Sequence, residues 1–163
     1  MDAHEIVVSI EAMYEAHRVE LTSFATGLVG PDEASDVVST AMMNMMRRGQ
    51  HLDNISNHRA YLFQVTYREA LRLRRKRAPR SLQMQIDVVS GSTDEAALTT
   101  NRIDIFNSVM KLAARQRAVI TLVYWLDYSI PETALTLSIS EGAVKKHLAR
   151  ARANLRKALG DGQ

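Results

Sequence analysis

The chain has no cysteine among its 163 residues. That excludes disulfides, a thiolate metal cluster, a cysteine nucleophile and redox sensing through a thiol of its own. Histidine is sparse as well. His4, His17, His51, His58 and His147 share no metal-ligand spacing, and no serine stands in a nucleophile elbow. The one glycine-serine patch, "SGSTDE" at Ser90 to Glu95, lacks the lysine and spacing that cradle a nucleotide. No catalytic residue, cofactor or metal is therefore expected, and the chain reads as something other than an enzyme. Long apolar runs are missing too. The longest, "AVITLVYWL" from Ala118 to Leu126, falls well short of the roughly 20 residues of a membrane span. The N-terminal "MDAHEIVVSIE" is acidic and lacks the basic-then-apolar order of a signal peptide. The expectation is a soluble cytoplasmic protein without membrane insertion.

What is present belongs to an ordinary folded chain: 46% hydrophobic and 24% charged residues, enough for one domain or two small ones. The net charge of +3 is modest, but its distribution is uneven. Between Met1 and Asp36 stand Asp2, Glu5, Glu11, Glu15, Glu20, Asp32, Glu33 and Asp36, against Arg18 alone. From Arg59 to Arg80 the sign inverts, with Arg59, Arg68, Arg72, Arg74, Arg75, Lys76, Arg77 and Arg80 opposed only by Glu69. A second basic block holds Lys145, Lys146, Arg150, Arg152, Arg156 and Lys157. Either block alone reads as a solvated helix face. Two of them, joined by a neutral-to-acidic segment, suggest two contacts with one long polyanion.

The periodicity is helical throughout, so the fold class is all-α. Ile10, Met13, Tyr14, His17, Leu21, Phe24, Ala25 and Leu28 recur at three- and four-residue steps and share one helix face. Gly30 and Pro31 end that helix. Asp32 can cap the next, which carries Ala34, Val37, Val38, Ala41, Met42, Met45 and Met46 and stops at Gly49. A third helix is expected from about Asn57 to Arg77, apolar nearly all round in its first half and basic on every side in its last turns. Cations favour a helix C-terminus by only about 0.3–1 kcal/mol each, so six of them between Arg68 and Arg77 ask for another cause. "PRSLQMQIDVVSGSTDEAALTT", Pro79 to Thr100, has few bulky residues and no strong period, and reads as a linker. The layout is two small helical domains, residues 1–80 and 101–160, joined by a flexible linker over 81–100.

The second domain has helix-turn-helix spacing in "YSIPETALTLSISEGAVKKHLARAR", Tyr128 to Arg152. A short helix over about Pro131 to Leu137 places small Ala134 at the crossing, and Ser138 sits in the tight turn. Val144 plugs the gap, and Leu137 and Ile139 complete the small core. Pro131 suits a first turn, and Ser140 can cap the second helix. There Val144, Leu148, Ala151, Leu155 and Leu159 form the apolar stripe, while Lys145, Lys146, His147, Arg150, Arg152 and Arg156 lie off it. Cations at the exposed start of such a helix reach base edges, and those further along neutralise phosphates. A structural hairpin with a solvated basic face is the plainer reading of the same residues.

These residues resemble a family, the small extracytoplasmic-function (ECF, group IV) sigma factors of bacterial RNA polymerase, over nearly the whole chain. "LVGPDEASDVVSTAM" is similar to the segment that docks on the polymerase clamp, and "AYLFQVTYREALRLRRKR" to the helix that opens the minus-ten element. "RQRAVITL" and the helix-turn-helix are similar to the region that grips the polymerase flap and reads the minus-thirty-five element. The resemblance implies an alternative sigma factor that binds core RNA polymerase, recognises and opens promoter DNA and starts transcription. Its implied partners are core polymerase, promoter DNA as duplex and melted strand, and an anti-sigma factor. It would be nucleoid-associated when bound to polymerase. Ser140, Glu141, Gly142, Lys145, Lys146, His147 and Arg150 would read the upstream element. Asn57, His58, Arg68, Arg72, Arg74, Arg75, Lys76 and Arg77 would serve promoter opening, with the preceding loop "HLDNISNHR" taking a flipped base. Asp36, Val37, Val38, Met42, Met45, Met46, Leu122 and Leu126 would bind core polymerase.

Opening a duplex costs a few kcal/mol per base step, so it needs held phosphates and faces for unstacked bases. Tyr61, Phe63 and Tyr67 are candidate platforms, although aromatics at helical spacing also make core. The methionines of the second helix are likewise a pliable core stripe first. The chain departs from the family pattern at Ser39, Thr40 and Met42, at Arg68 and Arg72, where asparagine and aspartate are common, and at Ala143, Lys146 and His147. Two other functions fit the layout: a helix-turn-helix regulator acting without polymerase, and a sigma mimic that sequesters an anti-sigma factor.

Overall fold

The computed structural model describes residues 3–49, 55–77 and 94–160, and every element among them is helical. The elements are α1 (Ala3–Val29), α2 (Pro31–Arg47), α3 (His58–Arg77), α4 (Asp94–Met110), α5 (Ala114–Ile120) running into a π-turn (Thr121–Trp125), α6 (Ile130–Leu137) and α7 (Glu141–Gly160). Residues 51–54 of the expected base-capturing loop, Arg80 and most of the expected linker lie outside the described residues. The linker expectation is corrected at its end. Helix α4 already begins at Asp94, where acidic and alanine-rich "DEAAL" suits a first turn.

Only Gly30 separates α1 from α2, with φ at 89°, a conformation glycine alone adopts without strain. Pro31 opens α2, so Asp32 falls inside the first turn and makes no side-chain cap. Its charge there still suits the helix dipole. Helices α1, α2 and α3 pack around Leu21, Phe24, Ala25, Val37, Val38, Ala41, Met45, Leu62 and Phe63. Asn57 caps α3 by accepting from the Ala60 amide at 2.9 Å.

In the second body, Ser129 and Glu132 form a reciprocal capping box that starts α6, the Ser129 amide donating to Glu132 Oε2 at 2.8 Å. Ser138 ends it at φ 54°, and the Ile139 amide reaches back to the Ala134 carbonyl at 3.0 Å, a Schellman-type closure. Ser140 accepts from the Ala143 amide at 3.1 Å and caps α7. Val144, wholly buried, plugs the helix crossing beside Leu137, Leu148 and Ala151.

The two bodies touch. Helix α1 lies on α5 and the π-turn, and α3 lies on α6. Gly27 makes the first contact possible: a Cβ there would stand 2.5 Å from Thr121 Oγ1. A run of rings makes the second, Phe24 to Phe63 at 5.4 Å and Phe63 to Tyr128 at 5.6 Å. Over it lies the Arg59 guanidinium, 4.5 Å from the Tyr128 ring and bonded to Glu20 at 2.9 Å. Gln64 of α3 donates to the Ser138 hydroxyl across the same seam.

Candidate nucleic-acid interface

The cations of helix α7 differ in their contacts. Arg152 is held by its own body, donating to the Tyr124 hydroxyl and lying 5.3 Å from that ring, and Asn154 donates to Gln116 at 3.1 Å. Lys145, Lys146 and Arg150, a turn or two nearer the N-terminus, are exposed and have no ion-pair partner among the described residues. Glu141 and Gly142 are exposed beside them, and Ser140 is occupied as the cap. His147 is half-buried on the edge of this face. Desolvation first, then the charges of Arg115, Arg150 and Lys146, hold its imidazole below the ordinary histidine range, and its Nδ1 is buried without a partner among the described residues.

The end of α3 divides similarly. Arg68, Arg75 and Lys76 are exposed and free of carboxylate partners among the described residues, while His58 is exposed at the helix start. Arg77 pairs with Glu33, and Arg72 donates to Glu69 at 2.9 Å. Glu69, the lone acid of this block, is nearly buried and also accepts from Asn44 of α2 at 3.3 Å, so it bridges α2 and α3. Beside it Arg47, Arg48, Arg68, Arg72 and Tyr61 line a cleft of about 530 Å³. Arg47 and Arg48 were not among the sequence-derived candidates, although "MMRRG" ends α2 with two cations that its dipole needs only in part. Arg74 is half-buried, and desolvation lowers its basicity.

The third group of candidates is corrected. Val37, Val38, Met42 and Met45 are 0–6% exposed, and Leu122 is fully buried. The α2 residues face α1 and α3, and Leu122 sits in the π-turn, which packs on α1, α5 and α6, so no partner reaches them in this arrangement. The members of this stretch of α2 that do reach solvent include Asp36, Met43 and Met46, the two methionines 50% and 39% exposed. Around the π-turn it is Tyr124 and Trp125, with Leu126 partly covered. Tyr124 and Trp125 flank an apolar groove of about 760 Å³ with Ile105, Leu155 and Leu159. The aromatics weighed as base platforms are core: Phe63 is buried, Tyr67 nearly so, and only Tyr61 is partly open.

Among the described residues no group of histidine and acidic side chains could hold a metal ion, and no helix is long and apolar enough to cross a membrane. Residues 13–80 match the sequence pattern of Sigma-70 region 2, and residues 103–155 that of Sigma-70, region 4. An RNA polymerase sigma-E factor of Streptomyces avermitilis is 33% identical over 164 residues, covering 96% of this chain and 88% of the relative. The ECF RNA polymerase sigma factor SigM of Mycobacterium tuberculosis is 32% identical over 130 residues, covering 79% of this chain and 65% of its own. Sigma factor RpoE of Bartonella quintana, solved in complex with the anti-sigma factor NepR, superposes with a TM-score of 0.69 at 24% identity over 93% of this chain and 97% of its own. That likeness concerns the fold. The basic helix-turn-helix, the basic third helix and these relatives together place the chain in the sigma-70 family, among the ECF RNA polymerase sigma factors.

Proposed function

We propose that the chain works as a group IV sigma factor: it binds core RNA polymerase, places α7 on the upstream promoter element and uses the end of α3 to open the downstream one. One observation carries this reading. Two surfaces of cations without an ion-pair partner among the described residues, Arg68, Arg75 and Lys76 on α3 and Lys145, Lys146 and Arg150 on α7, stand on separate helical bodies. A protein sequestering only an anti-sigma factor needs neither. A regulator acting alone would use the second without the first, and would commonly dimerise on paired half-sites.

Within this reading Lys145, Lys146 and Arg150 meet phosphates and base edges, and His147 joins them at the edge of the helix. Arg47, Arg48, Arg68 and Arg72 surround a cleft wide enough for an unstacked base, with Tyr61 as its stacking face. Core polymerase meets Asp36, Met43 and Met46 on α2, and Tyr124, Trp125 and Leu126 at the apolar groove. The division of labour follows residues 1–80 and the second body, which α4 opens at Asp94. An anti-sigma factor is proposed as a further partner, as for the Bartonella relative. Run-off transcription on genomic fragments, with purified core polymerase and this chain, tests the reading. Discrete start sites absent without the chain are expected. No new starts, with duplex DNA still shifted, would move the assignment to a regulator acting without polymerase.

A further inference from the structure

Where the ends of α1 and α3 meet the start of α5, four guanidinium groups converge. Arg74, Arg75, Arg77 and Arg117, with Glu33, Leu28, Val29, Leu73 and Met110, line a cleft of about 410 Å³. Arg77 is neutralised by Glu33. Arg117 is 1% exposed and has no carboxylate partner among the described residues. It donates to the Leu28 carbonyl at the end of α1 and to the Leu112 carbonyl at 2.9 Å. Its Nε–H is buried with no acceptor among the described residues. Burial, and then the Arg74 charge, push this guanidinium down to about 10. Arg74 and Arg75 likewise have no carboxylate within ion-pair distance among the described residues. Among the described residues the counterweights lining the cleft are Glu33 and the carbonyl dipoles at the end of α1, and the remaining three positive charges exceed them.

Like charges gathered at a partly desolvated seam are stabilised by an anion with several acceptor oxygens, and guanidinium forks match phosphate oxygens in pairs. We propose that this cleft binds a small phosphate-class polyanion through Arg74, Arg75 and Arg117, and that filling it holds the two helical bodies together. Arg74 and Arg75 belong to the first body and Arg117 to the second, so the ligand bridges them. It also occupies arginines that the promoter reading, on which this consequence rests, assigns to DNA. The anion and the promoter strand then compete for the same side chains.

The test uses the full chain and inorganic pyrophosphate at constant ionic strength. Because the chain lacks cysteine, single cysteines at exposed Ser35 and Ala158 accept a dye pair that reads the separation of the bodies. Saturable calorimetric binding with raised energy transfer is expected. Arg117→Met and Arg75→Gln should each weaken binding at least tenfold, with Lys145→Ala/Lys146→Ala within twofold of wild type. If Arg117→Met fails to fold by circular dichroism, exposed Arg75→Gln decides alone. Equal loss in the Lys145/Lys146 variant, or no effect beyond that of potassium chloride, would reduce the binding to general attraction and overturn the site. A single-stranded oligonucleotide should lower the energy transfer of the pyrophosphate-saturated chain. If only the oligonucleotide binds, the cleft belongs to the DNA backbone and the free-anion site is wrong. Run-off transcription separates the two readings. Pyrophosphate binding lost in the variants while no start sites appear would remove the promoter reading and leave the site. Start sites with no pyrophosphate binding would do the reverse.

Discussion

At the scale of single residues, His147 offers a proton as a reporter. Its folded-state basicity is depressed from the ordinary value of 6.5 by burial and by Arg115, Arg150 and Lys146. The unfolded chain therefore binds the proton more readily. Stability is unaffected well above pH 6.5 and falls as the pH drops through 6.5 toward the lowered folded value. A DNA phosphate beside the ring reverses the local field and raises its basicity, so binding takes up a proton. Affinity for upstream-element duplex should thus rise between pH 8 and pH 6 while thermal stability declines. His147→Gln should flatten the affinity trend. Fluorescence anisotropy at fixed salt checks this, because salt alone shifts such affinities by orders of magnitude. An identical pH slope in wild type and variant would take His147 out of the interface.

At the scale of elements, α7 is one helix with two jobs. Val144, Leu148 and Ala151 are buried, Arg152 and Asn154 are tied to their own body, and Lys145, Lys146 and Arg150 are left for a partner. If each of the three meets one phosphate, replacing all three with alanine removes about three released counterions. The slope of log affinity against log salt should become shallower by about 2.7, at about 0.9 per phosphate. Filter binding of the upstream duplex across a salt series measures it, and an unchanged slope would place the contacts elsewhere. The separation of stripe from basic face was legible in the sequence, because three- and four-residue steps divide them and Ser140 marks the start, but the ties of Arg152 to Tyr124 and Asn154 to Gln116 were not. Helix α2 shows where such reading runs out. A stripe facing neighbouring helices and one facing a separate protein have the same period, so Val37, Val38, Met42 and Met45 read as docking residues yet form core. The run "AVITLVYWL" has no clear period because it is buried on several sides, which hides the π-turn, closed by the Leu126 amide on the Thr121 carbonyl at 3.1 Å. Arg117 was missed for a simpler reason: a cation beside Arg115 and Gln116, just before an apolar run, looks like surface until a second body closes over it. The start of α4 was hidden because "DEAALTT" has few bulky apolar residues, so no three- and four-residue stripe marks it.

At the scale of the whole molecule, the compact arrangement and the proposed task are incompatible. The two promoter elements lie about 25 base pairs apart by their names, roughly 85 Å of duplex at about 3.4 Å per pair. A compact chain of this length has a radius of gyration of about 15 Å. The contacts of Gly27 with Thr121, Arg117 with Leu28, and Phe63 with Tyr128 must therefore break when both bodies engage DNA. The residues between Arg77 and Asp94 extend to at most about 60 Å, which, with the bodies' own lengths, suffices for the span. An equilibrium between closed and open forms follows, and polymerase binding draws only on the open fraction. Gly27→Ala probes that equilibrium with two effects of opposite sign. Within α1, alanine is better than glycine by about 0.8–1.0 kcal/mol, so the first body gains stability. At the seam its Cβ meets Thr121 at 2.5–2.6 Å. Thr121 cannot yield, being fully buried and donating to the Arg117 carbonyl at 2.8 Å. Such overpacking costs about 1–3 kcal/mol, and all of it falls on the closed form. The variant should keep its helical circular dichroism and lose energy transfer between dyes at Ser35 and Ala158. It should reach half-maximal run-off transcription at roughly 5- to 150-fold lower concentration, less where the open fraction saturates. A variant that melts early as a unit, with energy transfer and transcription unchanged, would mean that the seam does not hold the closed state.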